Sequence, residues 1–144
     1  MLLGTFEHNL DNKLRLTIPS KLRNKLGESL IVSKSIEHCL EIRTLDSFEK
    51  WRNEIAQNSS LIDATRQLER LIFSNSEETS VDNAGRIKIS TTLLEKVSIT
   101  KQVYILGLGN RLEIWDKATY ESKVLNNEKN TEMNKVANWL GGVK

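Results

Sequence analysis

Cysteine, proline and histidine are scarce in this sequence, whose 144 residues include one cysteine, one proline and two histidines. With Cys39 alone, no disulfide can form within the chain, which suits a reducing compartment. Cys39 lies in an apolar-rich run and is interpreted as a buried structural thiol, because His8 and His38 show no spacing to a helper residue that would indicate a nucleophilic triad. Neither histidine stands in the HExxH or CxxC context of a zinc site. We therefore expect no metal and no cofactor.

The sequence also lacks a long apolar run. No stretch approaches the roughly 20 apolar residues that span a bilayer, and the N-terminus has neither the basic nor the apolar segment of a secretory signal. Hydrophobic residues make up 38% of the chain and charged residues 28%, as in ordinary folded proteins. These features predict a folded, cytoplasmic protein without a membrane partner.

What the sequence does contain is an internal repeat. Residues 10–26, LDNKLRLTIPSKLRNKL, align with residues 81–97, VDNAGRIKISTTLLEKV, and after one residue of extra spacing the match resumes at LEI, residues 40–42 and 112–114. Two halves of the chain therefore follow one plan. The equivalent pairs include Asp11 with Asp82, Asn12 with Asn83, Arg15 with Arg86, Leu16 with Ile87, Ile18 with Ile89, Leu22 with Leu93 and Leu26 with Val97.

Each half begins with a polar turn and a strand. Apolar and polar residues alternate after Asp11-Asn12 and again after Asp82-Asn83, which is the period of a strand with one buried face. Asp-Asn favours a turn because both side chains hydrogen-bond nearby backbone. The alternation places Arg15 and Arg86 on the outward face of their strands.

A short helix and two further strands complete each half. Pro19 is expected in the first turn of the first helix, which Gly27 ends, and Ser90 is expected to cap the second helix. Leu22 and Leu26, like Leu93 and Val97, fall on the inner faces of these helices. The pairs of strands are LIVSK with CLEIR and VYILGL with RLEIW, the latter joined by a hairpin at Gly109-Asn110.

Helical stretches lie between and after the halves. We divide the chain into a first repeat (1–57), a connecting helix (58–76), a second repeat (77–128) and a C-terminal helical tail (129–144). The connecting helix is expected to begin near Ser60, with Asp63 three positions on. The apolar stripes of these stretches are interpreted as core or subunit contacts; they are Phe48, Trp51 and Ile55, then Leu61, Leu68, Leu71 and Ile72, then Met133, Val136, Trp139 and Leu140.

Positive charge is concentrated near the first turn. The whole chain carries +2, but the window 11–25 has five cations against one acid, a net charge of +4. Arginine fits such a patch because its rigid fork of donors matches a phosphate or the O6/N7 edge of guanine. A single Asp–Arg pair would be read as a turn-stabilising ion pair, since exposed pairs are common and weak. Two copies in equivalent outward positions favour a nucleic-acid contact.

The duplicated D-x-x-x-R pattern, at residues 11–15 and 82–86, resembles the MraZ family. Each repeat taken alone is also similar to an AbrB-type DNA-binding unit, whose strand, proline and short helix correspond to RLTIPSKLRNKLG, residues 15–27. The resemblance covers nearly the whole chain, including MLLGTFEHNLD at the start. It implies an α+β fold of two tandem β-rich repeats, a swapped-hairpin-like β barrel with short flanking helices, and assembly into a homo-oligomeric ring. It also implies a nucleoid-associated transcription regulator that binds short direct repeats in double-stranded DNA, in the promoter of the division and cell-wall gene cluster, including its own gene.

Site residues follow from the repeat and the resemblance together. Family members commonly have glycine before the motif arginine, as at Gly85, whereas the first repeat has Leu14; leucine resists positive φ, so the first turn is expected either to differ in shape or to need no left-handed residue. The expected DNA contacts are Arg15, Arg86, Lys13, Lys88, Lys21 and Arg23, and the expected supporting residues are Asp11, Asp82, Asn12, Asn83 and Gly85.

The sequence leaves two alternative functions open. An enzyme would draw on Asp82, Glu113 and Asp116 or on Glu41 and Asp46, but no glycine-rich phosphate loop, nucleophile elbow or metal constellation accompanies them. We therefore expect neither catalysis nor a small-molecule substrate. The second alternative is an oligomeric scaffold associated with cell division, in which the basic window is only a solubilising surface.

Overall fold

The computed structural model of the chain describes residues 1–58, 61–126 and 132–142. Within these ranges, eight strands occur in consecutive pairs separated by helices, in the order that the repeat predicts. The strands are β1 (Leu2–Asn9), β2 (Arg15–Thr17), β3 (Ser29–Lys34), β4 (Leu40–Thr44), β5 (Ser76–Ser80), β6 (Arg86–Lys88), β7 (Gln102–Gly109) and β8 (Leu112–Asp116).

The helices are short, and most of them follow a strand directly. Pro19 lies immediately before the first helix, and Gly27 ends that helix with a φ of 76°. The Ser90 side chain caps the fourth helix by accepting a hydrogen bond from the Leu93 N–H at 3.3 Å. The helices are α1 (Ser20–Leu26), α2 (Leu45–Ala56), α3 (Asp63–Phe73), α4 (Thr91–Lys96), α5 (Lys117–Thr119), which continues as a π-helical turn (Tyr120–Leu125), and α6 (Glu132–Gly142).

Strands of the two halves are exchanged in the sheets. A six-stranded antiparallel sheet has the order β1-β7-β8-β4-β3-β5, and β2 pairs with β6 in a separate two-stranded ribbon. Thus β1 of the first half pairs with β7 of the second, and β5 of the second half pairs with β3 of the first. The α+β class is confirmed, but over the described ranges the ladders do not close into the expected barrel.

One hydrophobic core joins the two halves. Leu16 and Ile87, Ile18 and Ile89 are all at most 1% exposed, so the alternation inferred for both strands is confirmed. The inner-face residues of α1 and α4 join the same cluster, and β3, β4, β7 and β8 contribute their apolar faces to it. The main hydrophobic core is therefore shared by the two halves.

A smaller hydrophobic cluster lies on the opposite face of the six-stranded sheet. It contains Cys39, Leu106, Trp115 and Tyr120. Burial raises the pKa of the Cys39 thiol, and the negative charge of Glu113 raises it further. The interpretation of Cys39 as a structural thiol is therefore consistent with its surroundings.

The helices between the halves depart in part from expectation. Phe48 and Trp51 on α2 contact Phe73 on α3 through edge-to-face rings, with centroids 6.0 and 6.5 Å from that of Phe73. The expected start near Ser60 lies outside the described residues, and α3 begins at Asp63 without a side-chain cap. Of the apolar stripe predicted for α3, Ile72 is buried, whereas Leu61 and Leu71 are exposed.

Candidate nucleic-acid interface

The D-x-x-x-R motif of the first half folds as a compact turn, which we call turn 1 (residues 11–15). The Asp11 carboxylate accepts hydrogen bonds from the backbone N–H groups of Lys13 and Arg15, both at 2.9 Å. Its second oxygen accepts from Nε of Arg15 at 2.7 Å. The backbone closes the turn, because Leu14 N–H donates to the Asp11 carbonyl and Asp11 N–H to that of Arg15, both at 3.0 Å. The carboxylate thus orients the guanidinium.

Turn 2 (residues 82–86) repeats this geometry. The Asp82 carboxylate accepts from the N–H groups of Ala84 and Arg86, both at 2.9 Å. Nε of Arg86 donates to the other carboxylate oxygen at 2.9 Å. In each turn the aspartate uses Nε, and within the described residues the two terminal nitrogens of each guanidinium make no hydrogen bond. Both arginines therefore keep donors for an external acceptor.

Leu14 and Gly85 both adopt a left-handed backbone conformation. Their φ values are 60° and 77°. The expectation that Leu14 would change the first turn or avoid positive φ is wrong. The Asp11 hydrogen bonds and the packing of Leu14 against the core offset the strain on a leucine in this region.

Electrostatics keep both aspartates ionised. The hydrogen bond from the Arg15 backbone N–H lowers the pKa of Asp11, and the Arg15 side chain acts in the same direction against the effect of desolvation. The Arg86 backbone and side chain lower the pKa of Asp82 in the same way. Because the carboxylates stay charged, they hold the arginines across the physiological pH range.

The ribbon, defined as β2 with β6, brings the two motifs together. Leu16 lies opposite Ile87, Arg15 opposite Lys88 and Thr17 opposite Arg86. Since side chains alternate along a strand, the buried pair Leu16–Ile87 faces the core. The other four side chains share the outer face, where Lys88 is exposed and Arg15, Thr17 and Arg86 are partly exposed. One face therefore carries three cations.

This arrangement opposes the intrinsic stability of the ribbon. Arg15 and Lys88 are direct cross-strand partners of like charge, and such pairs destabilise a sheet. An anion placed over this face would relieve that repulsion. The outer face of the ribbon is therefore suited to a polyanion.

The remaining predicted residues surround the ribbon. Asn12, Lys13 and Asn83 are exposed in the turns, and Lys21 is exposed on α1. Gly85 is buried. Arg23, also on α1, lies against Gly85 of turn 2, in the other half of the chain. The sequence analysis did not predict that Arg23 contacts the turn of the other half, or that β2 pairs with β6. The repeated pattern of turn and strand was the one sequence feature that could have suggested this pairing.

The carboxylates weighed as enzyme residues are held in structural contacts. Arg43 Nη1 and Arg111 Nε donate to the two oxygens of Glu41 at 2.8 and 2.9 Å. Glu113 lies opposite Glu41 and accepts from Nε1 of Trp115 at 2.9 Å, while burial raises its pKa. Asp46 lies in the first turn of α2, and Asp116 caps α5. No reacting geometry links these groups within the part of the chain that the structure describes.

Neither a candidate metal site nor a candidate membrane-spanning helix is present among the described residues. Among the described residues, no group of three or more His, Cys, Asp and Glu side chains is placed to hold a metal ion. In the same residues, no helix has the length and apolar character needed to cross a membrane.

Comparison with known proteins places the chain in a family. The family model described as MraZ protein matches twice, over residues 1–71 and 72–140. A transcriptional regulator MraZ from Mesoplasma florum is 46% identical over 138 residues, which cover 95% of this chain and 93% of that protein. Proteins of the same name from Mycoplasma capricolum and Alkaliphilus oremlandii are 48% and 33% identical, covering 83% and 96% of this chain and 91% and 95% of their own lengths. With two family matches that together span nearly all of its length, the chain belongs to the MraZ family, which is not a family of enzymes.

Proposed function

We propose that the chain is a sequence-specific transcription regulator that binds double-stranded DNA through the outer face of the ribbon. The observation that carries the proposal is the pairing of β2 with β6, which places both motif arginines and Lys88 on one exposed face. The relatives are named transcriptional regulators, and a DNA contact is what such a role requires.

The chemistry of the face supports this assignment. A two-stranded ribbon fits the major groove of B-DNA, where guanine offers O6 and N7 to a bidentate arginine. Asp11 and Asp82 hold Nε and leave the terminal nitrogens of Arg15 and Arg86 directed outward. Lys13 and Lys88 are exposed beside them and supply phosphate contacts. Lys21 on α1 supplies a further phosphate contact. Asn12 and Asn83 lie at the tips of the two turns.

The proposed DNA is the set of short direct repeats in the promoter of the division and cell-wall gene cluster, including the gene of this chain. This part rests on family resemblance, together with the presence of two equivalent motif turns in one protomer. A protein with this role acts in the cytoplasm at the nucleoid.

We further propose a homo-oligomeric ring of swapped-hairpin units. Several large apolar side chains stay exposed in the protomer, among them Met1 at 84%, Ile36 at 67% and Leu3 at 60%. Exposed apolar area of this kind favours association. The exchange of β1 and β5 between the halves supports the swapped-hairpin description. The division into 1–57, 58–76, 77–128 and 129–144 stays a prediction.

A footprint on the DNA upstream of the encoding gene tests the function. We expect protection over clustered direct repeats by the parent chain and its loss in R15A/R86A. The matched control is R52A/R70A, which removes the same charge from α2 and α3 and should leave the footprint intact. If the parent protects no DNA while light scattering shows an intact oligomer, the scaffold alternative replaces this proposal.

A further inference from the structure

Helix α1 of the first half is seated against turn 2 of the second half. A Cβ atom added to Gly85 would overlap Nη1, Cζ and Cδ of Arg23. The guanidinium therefore rests directly on the glycine backbone, where no other residue leaves room for it. The φ of 77° favours glycine at position 85, and the absence of a side chain there leaves the space that Arg23 occupies.

The backbone beside α1 is tied to the same point. Ile18 N–H donates to the Gly85 carbonyl at 2.9 Å, and Arg23 N–H donates to the Pro19 carbonyl at 3.2 Å. The end of β2, the start of α1 and turn 2 thus form one connected unit. Because Arg23 contacts Gly85 directly, a substitution at Arg23 changes the surroundings of turn 2.

Turn 1 is held by different chemistry. The repeat makes Leu14 the equivalent of Gly85 and Leu94 the equivalent of Arg23. Ile89 N–H donates to the Leu14 carbonyl at 3.1 Å, which repeats the backbone tie. Leu14 packs against the core cluster that includes Leu94. Apolar packing therefore supports turn 1, whereas a charged side chain supports turn 2.

The charge of Arg23 also reaches the motif. Gly85 immediately precedes Arg86, so Arg23 contacts the residue next to the motif arginine. Nε of Arg23 is buried and has no hydrogen-bond partner among the described residues. Within the same residues no carboxylate forms an ion pair with Arg23. Within the described chain, Arg23 therefore adds a positive charge without a carboxylate partner beside turn 2, which favours an anion there.

We propose that Arg23 is a positioning residue for turn 2, holding Gly85 and orienting Arg86 toward DNA across the boundary between the repeats. The proposal rests on the proposed DNA binding. It assigns to Arg23 a role in the second motif, although the sequence places Arg23 in the basic window of the first.

The tips of the two turns allow each motif to be tested separately. Asn12 and Asn83 are equivalent and exposed, and Cys39 is buried, so N12C or N83C gives one reactive thiol. An iron chelate attached there cuts nearby DNA by hydroxyl radicals. The probe is an end-labelled fragment from upstream of the encoding gene. Each tip is examined in the parent, in R23L, which copies the residue at position 94, and in R23K.

With the protein at a concentration that saturates the DNA in every variant, so that a lower affinity does not reduce cutting at both tips, we expect cutting from position 83 in R23L to fall severalfold relative to cutting from position 12, because only turn 2 loses its orientation. R23K should resemble R23L, because lysine keeps the charge but not the planar group that rests on Gly85. Equal losses at both tips, a loss only at position 12, or full cutting in R23K would each overturn the positioning role. Circular dichroism checks folding, and R23K carries the test if R23L does not fold.

Failure of the underlying function gives a different result. If neither tip of the parent cuts the fragment and filter binding retains no duplex, DNA binding itself is absent. If both parent tips cut and R23L cuts like the parent, DNA binding stands and only the role of Arg23 is rejected.

Discussion

Leu16 on β2 lies opposite Ile87 on β6, the residue that holds the same position in the other repeat. The ribbon is therefore centred on an approximate two-fold axis through this pair. Arg15 and Arg86 are diagonal neighbours about that axis, at the spacing of about 7–8 Å typical of diagonal cross-strand positions. One protomer thus presents two equivalent guanidinium groups on one face of the ribbon.

Removing either motif arginine should weaken DNA binding without unfolding the chain. R15A and R86A should each lose about 1–3 kcal/mol of binding free energy where the arginine reads guanine, with relaxed sequence preference. The free energy of unfolding should change by less than about 1 kcal/mol, because the Asp–Arg pairs are partly exposed. We expect R15A to be the more damaging, since Lys13 and Lys88 are its neighbours. Filter binding and urea unfolding measure the two effects; a folded R15A/R86A that binds like the parent would reject the site.

Replacing Lys88 with threonine, the residue at the equivalent position 17, should change stability and binding in opposite directions. Removing the like-charge partner of Arg15 should stabilise the fold by about 0.2–1 kcal/mol. Losing one phosphate contact should lower the slope of log affinity against log salt by about one unit. The measurements are thermal unfolding and duplex affinity over a salt series. K101T is the control, since Lys101 is exposed outside the ribbon; an unchanged slope in K88T would remove Lys88 from the interface.

The local features of the site could be predicted from the sequence. Alternation placed Arg15 and Arg86 outward, and Asp11 and Asp82 could be identified as their supports, because both inferences depend only on neighbouring residues. The sharing of one ribbon by both motifs could not be predicted, since the pairing of β2 with β6 depends on packing between residues about 70 positions apart.

Two residues show why local rules failed elsewhere. Leu14 was expected to avoid positive φ, but the hydrogen bonds of Asp11 and the packing of its own side chain outweigh that preference. Arg23 belongs to the basic window of the first repeat, yet the exchange of strands carries α1 to turn 2. The sequence gives the position of each charge along the chain, but only the fold determines which turn a charged side chain contacts.

The turns should lose their contribution to stability at low pH. Hydrogen bonds from Arg15 and Arg86 lower the pKa values of Asp11 and Asp82 in the folded chain. Their contribution is present above the unfolded pKa of about 3.9 and is lost as the pH falls through the lower folded values. The parent should therefore be more stable than D11N/D82N at neutral pH, and the difference should shrink below about pH 4. Urea unfolding of both proteins at several pH values measures this; a difference that persists at the lowest pH would contradict it.

Strain at Leu14 should reverse the usual ranking of alanine and glycine. Both L14A and L14G remove the side chain that packs against the core, so both should destabilise the fold. At an ordinary position glycine is the worse substitute by about 0.5–1 kcal/mol, because its unfolded chain is more flexible. At a φ of 60° alanine keeps the steric strain and glycine relieves it, so we expect L14G to be the more stable by about 0.5–1 kcal/mol.

Lys13 provides the matched control for this ranking, because it lies in the same turn without positive φ and its side chain is exposed. K13G should be less stable than K13A, in the ordinary order. Urea unfolding of the four variants gives two differences of opposite sign if the leucine is strained. If L14G proves less stable than L14A, as K13G is expected to be relative to K13A, then turn 1 does not hold Leu14 in the left-handed region in solution. The two motif turns would then differ in shape, and Arg15 would not be presented as Arg86 is.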